Sequence, residues 1–168
     1  MNIIIGIVFI LLLSFAYGSL RGAPCVPTKK HDVQRFLNLA EVKENEIFYE
    51  LGCGDARITC AAGNAGAKAT GFDVSLFPFI IAQIRVFFSK NRKNINIKYR
   101  DIWFLNFKDA DLVYMFLMPE TYEKIKPKLE KELKPGARVI TYVWPMPGWE
   151  AKTIDKIEGY PPMYLYQR

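Results

Sequence analysis

The chain has a single histidine, His31, in 168 residues. That scarcity excludes histidine-based metal centres and Ser-His-Asp hydrolysis, both of which need imidazoles at set places. Only three cysteines occur, Cys25, Cys53 and Cys60. An odd count without C-x-x-C spacing argues against a disulfide framework or a zinc knuckle and fits a reducing compartment. No metal is expected. There is no charge at all over residues 1–20, no internal repeat and no low-complexity tract.

The uncharged opening, MNIIIGIVFILLLSFAYGSL, has a definite physical meaning. As a helix, about twenty residues at about 1.5 Å each reach roughly 30 Å, the thickness of a bilayer core. Tyr17 lies near one end, where an amphipathic ring suits the interface. The first basic residues, Arg21, Lys29, Lys30 and Arg35, follow the run and place the remaining chain on the cytoplasmic or an equivalent face. A cleaved signal peptide is the competing reading; it wants a basic segment before the apolar run, and none is present. The expected organisation is therefore a single-pass membrane anchor over residues 1–20, a proline-containing linker or flap over 21–28, and one folded domain over 29–168.

Composition is 51% hydrophobic and 24% charged with a net charge of +6, which suits a folded domain with anionic partners, a bilayer face or nucleic acid. Thr28 is placed to cap a helix over 29–40, in which Val33, Phe36, Leu37 and Ala40 repeat at helical spacing. Short apolar strands then alternate with helical stretches. Strands are expected over 46–51, 67–74, 96–102, 111–117 and within 134–144, with helices over 56–62, 76–89 and 119–133. A closing hairpin is expected over 153–158 and 163–166. Such alternation implies an α/β fold with a doubly wound, mostly parallel sheet covered on both faces.

The informative residues are Glu50-Leu51-Gly52-Cys53-Gly54-Asp55-Ala56-Arg57, at the end of the first strand and the start of the next helix. In doubly wound sheets, ligands bind beyond the carboxyl ends of the strands. Gly52 and Gly54 allow close backbone approach, and the first-turn N–H groups of the helix can receive a carboxylate. Asp73 is expected to end the second strand, where an acid can accept both ribose hydroxyls, and Asp101 the third, where it can accept from the adenine amine. A dinucleotide site requires G-x-G-x-x-G, and Arg57 stands where the third glycine belongs. Glu50 before the turn suits a cationic ligand better than a phosphate. Nucleic acid is not the expected partner: Lys90, Arg92, Lys93, Lys98 and Arg100 do cluster, but no Asn-Pro-Pro-aromatic tetrad accompanies them.

These residues resemble motif I of class I S-adenosylmethionine-dependent methyltransferases, whose sheet is Rossmann-like. A narrower resemblance rests on the hydrophobic N-terminal segment, the flap Pro24, Val26, Pro27 and Thr28, the turn over 50–57, and Trp103 after Asp101-Ile102. It is to the family of mitochondrial lysine methyltransferases acting on the c-type ring protein of ATP synthase and on the adenine nucleotide translocase. In this sequence Ala56 replaces the usual glycine of G-D-G-R, the aromatic before the flap valine is missing, and Asp73-Val74-Ser75 stands for Glu-x-Asn. The resemblance implies S-adenosyl-L-methionine as cofactor, with contacts from Glu50, Gly52, Cys53, Gly54, Asp55, Asp73, Val74, Asp101 and Ile102. Candidates for the acceptor channel are Val26, Pro27, Thr28, Trp103, Tyr114, Phe116 and Trp144. The acceptor it implies is a lysine on a membrane protein; a small lipophilic acceptor and a catalytically silent cofactor-binding scaffold are the alternatives.

Overall fold

A computed structural model describes residues 26–168 and the isolated positions 5, 6, 9 and 13. Apart from those four positions, the expected anchor over 1–20 lies outside the described residues, as does most of the flap over 21–28. Among the described residues no helix is long and apolar enough to cross a membrane.

The chain opens on α1 (Lys30–Ala40) and then alternates β1 (Ile47–Leu51), α2 (Arg57–Asn64), β2 (Lys68–Asp73), α3 (Leu76–Phe87), β3 (Ile95–Tyr99), β4 (Leu112–Met115), α4 (Pro119–Glu132) and β5 (Arg138–Tyr142). A hairpin of β6 (Thr153–Asp155) and β7 (Met163–Gln167) closes it. All strands join one sheet in the order β3-β2-β1-β4-β5-β7-β6. The first five are mutually parallel, and β7 pairs antiparallel with β5. The strand order reverses between β1 and β4, and the crevice beyond their carboxyl ends is where such sheets bind ligands.

Period-two alternation sends successive strand residues to opposite faces. Phe48, Leu112, Tyr114 and Ile140 pack with Phe36 and Ala40 of α1 and Ile58 and Ala62 of α2. Leu51, Val113, Met115 and Val139 pack with Tyr122, Ile125 and Leu129 of α4 on the other face. Cys53, Ala56, Cys60, Ala82 and Ile97 form a third cluster where α2 and α3 meet the sheet edge.

Three local expectations are corrected. The third strand stops at Tyr99, since its partner β2 ends in register with it at Asp73; Asp101 lies beyond, accepting a hydrogen bond from the Trp103 N–H at the head of a 3₁₀ turn, Ile102–Phe104. Thr28 does not cap α1. Lys29 occupies the capping position without a side-chain hydrogen bond, because the helix begins one residue later than Thr28 could serve. The second helix starts at Arg57 because Ala56 takes a left-handed conformation, φ 60°.

α1 is fastened to the closing hairpin by a buried charge cluster. Asp32 is fully buried; Arg35 Nη1 donates to it at 2.9 Å and the Tyr142 hydroxyl at 2.8 Å. The same guanidinium donates to the Asp155 carboxylate at 2.8 Å and to the Pro161 carbonyl at 2.9 Å. Truncating one partner of such a pair strands a charge in the interior, which typically costs about 3–5 kcal/mol. Arg35→Ala is accordingly expected to lower the urea midpoint by a loss of that size with the m-value unchanged. Asp155→Ala, which leaves Asp32 paired, should cost less; equal losses would remove Asp32 as the source of the effect.

Candidate active site

Glu50 is the penultimate residue of β1 and only 4% exposed. Its Oε2 accepts from the Thr59 backbone N–H at 2.7 Å and from the Thr59 hydroxyl. Thr59 is the third residue of α2, so its N–H is one of the donors that a helix N-terminus leaves without an intrahelical partner. Thr59 thus gives its N–H to the protein's own carboxylate rather than keeping it for a ligand. Burial drives the Glu50 carboxyl up to about 8; the Thr59 hydrogen bonds oppose this and the charges of Asp55 and Asp73 add to it. Gly71, level with Glu50 on β2, makes the arrangement possible. A Cβ there would lie 2.6 Å from the Thr59 hydroxyl and 2.8 Å from Cys53 Cβ.

The turn after β1 is left-handed at Gly52 (φ 72°) and Gly54 (φ 52°), conformations that glycine adopts without steric cost. The Phe72 carbonyl accepts from the N–H groups of both Gly52 and Cys53 at 2.9 Å. Asp73 ends β2 and is fixed by the turn it faces, accepting from Gly54 N–H and Ser75 N–H, each at 2.7 Å. Each carboxylate oxygen keeps a further lone pair for a ligand hydroxyl.

Asp55 has a different environment. Its Oδ2 accepts from Arg57 Nε at 2.8 Å and Arg85 Nη2 at 2.7 Å, while Arg85 Nε donates to its carbonyl at 2.7 Å. Arg57 also donates through Nη1 to the Thr28 carbonyl at 2.9 Å, tying the flap to the turn. On the far side, the Tyr122 hydroxyl accepts from Leu117 N–H at 3.3 Å and donates to the Met115 carbonyl at 3.1 Å, holding the chain that follows β4.

These groups surround one cavity that opens to solvent. Its walls include all nine expected cofactor contacts: Glu50, Gly52, Cys53, Gly54, Asp55, Asp73, Val74, Asp101 and Ile102. Of the expected channel residues, Val26, Pro27, Thr28 and Phe116 line it. The other three are elsewhere. Trp103 packs against the α4-side core, Trp144 is exposed, and Tyr114 is buried among the α1-side core residues. Strand-end position alone cannot say which rings reach the cavity wall; Tyr114, paired with Glu50 across β1 and β4, lies beneath it without lining it. Burial and the nearby Glu50 carboxylate hold the Tyr114 hydroxyl well above the usual tyrosine range.

Arg57, Ile58, Phe72, Ser75, Arg100 and Leu117 also line the cavity. Arg57 closes the turn motif and Phe72 and Ser75 flank Asp73, so their places are readable from the sequence. Leu117 carries no such signal, being defined by its contact with Gly52, whose Cβ would lie 2.9 Å from Leu117 Cδ2. Cys53 and Cys60 are free and buried. Burial pushes the Cys53 thiol well up, so it supplies no thiolate. The geometry is a binding site with four carboxyl groups and, among the described residues, no activated nucleophile in its walls, which suits transfer between two bound partners.

The family model described as the ANTKMT methyltransferase domain matches residues 50–153. A protein-lysine N-methyltransferase of Saccharolobus islandicus (strain REY15A) is 37% identical over 142 residues, covering 80% of this chain and 85% of that protein. An adenine nucleotide translocase lysine N-methyltransferase of Mus musculus is 27% identical over 143 residues, covering 82% of this chain and 62% of its own length. Among solved structures, an RNA methyltransferase from Salinibacter ruber in complex with S-adenosyl-L-homocysteine aligns with a TM-score of 0.80 and 27% identity, covering 84% of this chain and 93% of that one.

The raised Glu50 value carries a sign. Between its usual value near 4.5 and about 8, the folded state holds a proton that the unfolded state has lost, so stability falls as pH rises through that window. Glu50→Gln should flatten the decline in melting temperature over that range; an unaltered slope would detach Glu50 from it.

Proposed function

The chain belongs to the ANTKMT methyltransferase domain family, and from that premise we propose that it methylates the side-chain amine of lysine on a membrane protein. It is an S-adenosylmethionine-dependent methyltransferase. The observation that carries the finer reading is the acid-walled cavity beyond β1 and β4, roofed by Val26, Pro27 and Thr28.

The residues present fit the cofactor. Gly52 and Gly54 make the left-handed turn at the cavity wall, a Cβ on Gly52 would lie 2.9 Å from Leu117 Cδ2, and the carboxyl groups of Glu50, Asp73 and Asp101 in the walls can accept from a ligand's N–H and O–H donors. Bound S-adenosylmethionine supplies a methyl group activated on a sulfonium centre. In this reading Glu50 and the turn over 52–55 hold its charged methionyl end. Asp73 accepts from the ribose hydroxyls and Asp101 from the adenine amine, with Val74 and Ile102 as apolar neighbours. Asp55, bound by two guanidiniums, acts by holding the turn in shape.

No protein nucleophile is needed, since the acceptor attacks directly and positioning supplies much of the rate. A lysine must present a neutral amine. The apolar walls of Val26, Phe116 and Leu117 disfavour the ammonium form and so favour its deprotonation. The lysine assignment is supported by the Saccharolobus islandicus relative; the membrane assignment is supported by the mouse relative's named substrate, a translocase, and by the uncharged run over 1–20. We propose that this run tethers the domain on the cytoplasmic or equivalent face, which raises the effective concentration of membrane acceptors.

Gly54→Val puts a β-branched side chain in the left-handed region at the cavity wall. By calorimetry it should weaken S-adenosylmethionine binding at least tenfold with the unfolding transition still cooperative; unchanged affinity would refute the turn's assignment. Incubation with labelled S-adenosylmethionine and separated membrane, soluble-protein and RNA fractions tests the acceptor. Label is expected on lysine in the membrane fraction by mass spectrometry. Label confined to RNA, or to soluble protein, would sink the lysine or the membrane assignment respectively.

A further inference from the structure

The outer surface of α3 reverses the usual pattern of a surface helix. Its inward positions include the small or compact residues Pro78 and Ala82, both buried. Its outward row is large and apolar: Phe77, Ile80, Ile84 and Phe87 recur at helical spacing and are exposed, continuing into Phe88 at 79% exposure. Tyr99 on the β3 edge is also exposed and stacks edge-on with Phe79 of α3 at 5.6 Å. An exposed apolar surface of this extent marks an interaction site.

Its charge is as one-sided as its hydropathy. Between Asp73 and Asp101 there are six basic residues and no acidic one. The remaining seventeen basic residues match the seventeen acidic ones elsewhere, so this stretch alone accounts for the chain's net charge of +6. Arg85 is turned inward to Asp55. Lys90, Arg92 and Lys93 are exposed just beyond α3, Lys98 and Arg100 are exposed on and after β3, and the Arg92 guanidinium lies 5.7 Å from the Phe87 ring centroid.

We propose that the α3 face and the β3 edge form a docking surface for a bilayer bearing anionic headgroups. An apolar helix face that enters the acyl boundary, rimmed by cations that meet anionic lipid, is how interfacial helices bind membranes. Nucleic acid is disfavoured as the occupant because aliphatic Ile80 and Ile84, in the centre of the row, offer nothing to a phosphate or a base. A second copy of the chain is disfavoured because its own acid-free basic rim would be brought against this one. The surface adjoins the cavity at both ends, since Ser75 precedes α3 and Arg100 follows β3, and both line it. Docking therefore brings the cavity mouth to the membrane. This deepens the membrane reading above and rests on it for its purpose, though not for its observations.

The test uses the full chain in nanodiscs of phosphatidylcholine alone or mixed with phosphatidylserine. An environment-sensitive fluorophore is placed at Ile84→Cys, with Glu123→Cys on α4 as the control site, both in a Cys25→Ser background. The Ile84 label is expected to shift to the blue with phosphatidylserine and not without it, the Glu123 label in neither. Added salt, or the combined Lys90→Glu, Arg92→Glu and Lys93→Glu variant, should abolish the shift. No shift, an equal shift in neutral discs, a shift without lipid, or one produced by single-stranded RNA would each overturn the proposal. Co-elution with the discs reads the tether separately: a co-eluting chain with an unshifted label keeps the tether and loses the docking face.

Discussion

The hydrogen bonds between Glu50 and Thr59 join a strand end to a helix start, and the rest of the site is arranged around them. A carboxylate at the end of a strand would ordinarily point into solvent or into a ligand. Here it satisfies a donor that α2 cannot satisfy itself, which fixes the distance between β1 and α2 and leaves only a tight turn to connect them. Gly52 and Gly54 follow from that tightness, as does the left-handed Ala56, an alanine in a region that costs an L-residue about 1–2 kcal/mol. Gly71 follows from it too, although it lies on the next strand: nothing larger fits beside the Thr59 hydroxyl.

A second layer holds the first. Asp55 gathers Arg57 and Arg85, and Arg57 passes on to the carbonyl of Thr28. One carboxylate thus connects the turn, the helix α3 and the flap. The flap is also fixed from behind, because α1 follows it directly and is bound to the closing hairpin through Asp32, Arg35 and Asp155. The hairpin at the far edge of the sheet therefore contributes to the geometry of the cavity roof, through charges that never touch the cavity.

The residues legible in the sequence are those whose signal is local. Alternation of strand and helix implies the parallel sheet, and Glu50, Asp73 and the two glycines stand at element ends where a ligand site is expected. What escapes is whatever depends on direction or on a partner distant in sequence. Asp101 reads as the end of a strand, but strand length is set by the neighbour, and β2 has already ended. Trp103, Tyr114 and Trp144 have the right positions along the chain, yet the turns that decide where their rings point are tertiary. Asp55 reads as a ligand contact; its commitment to Arg85 depends on how α3 lies across α2. The Arg35 cluster spans more than a hundred residues and has no local signature at all.

Charge is distributed over this molecule in a way that its net value conceals. The cavity walls hold four carboxyl groups, Glu50, Asp55, Asp73 and Asp101, against the guanidiniums of Arg57 and Arg100. The stretch over residues 74–100 that adjoins the cavity holds basic residues and no acidic one. Opposite fields a short distance apart perform different tasks: the carboxyl groups of the cavity walls act on a ligand by direct contact, while the exposed basic rim acts over about a Debye length of 8–10 Å and is weakened by salt. A lysine acceptor entering as an ammonium would be opposed by that rim and drawn by the interior. Carboxyl groups near the amine would hold its proton, so the deprotonation that methyl transfer requires depends on the apolar walls of Val26, Phe116 and Leu117.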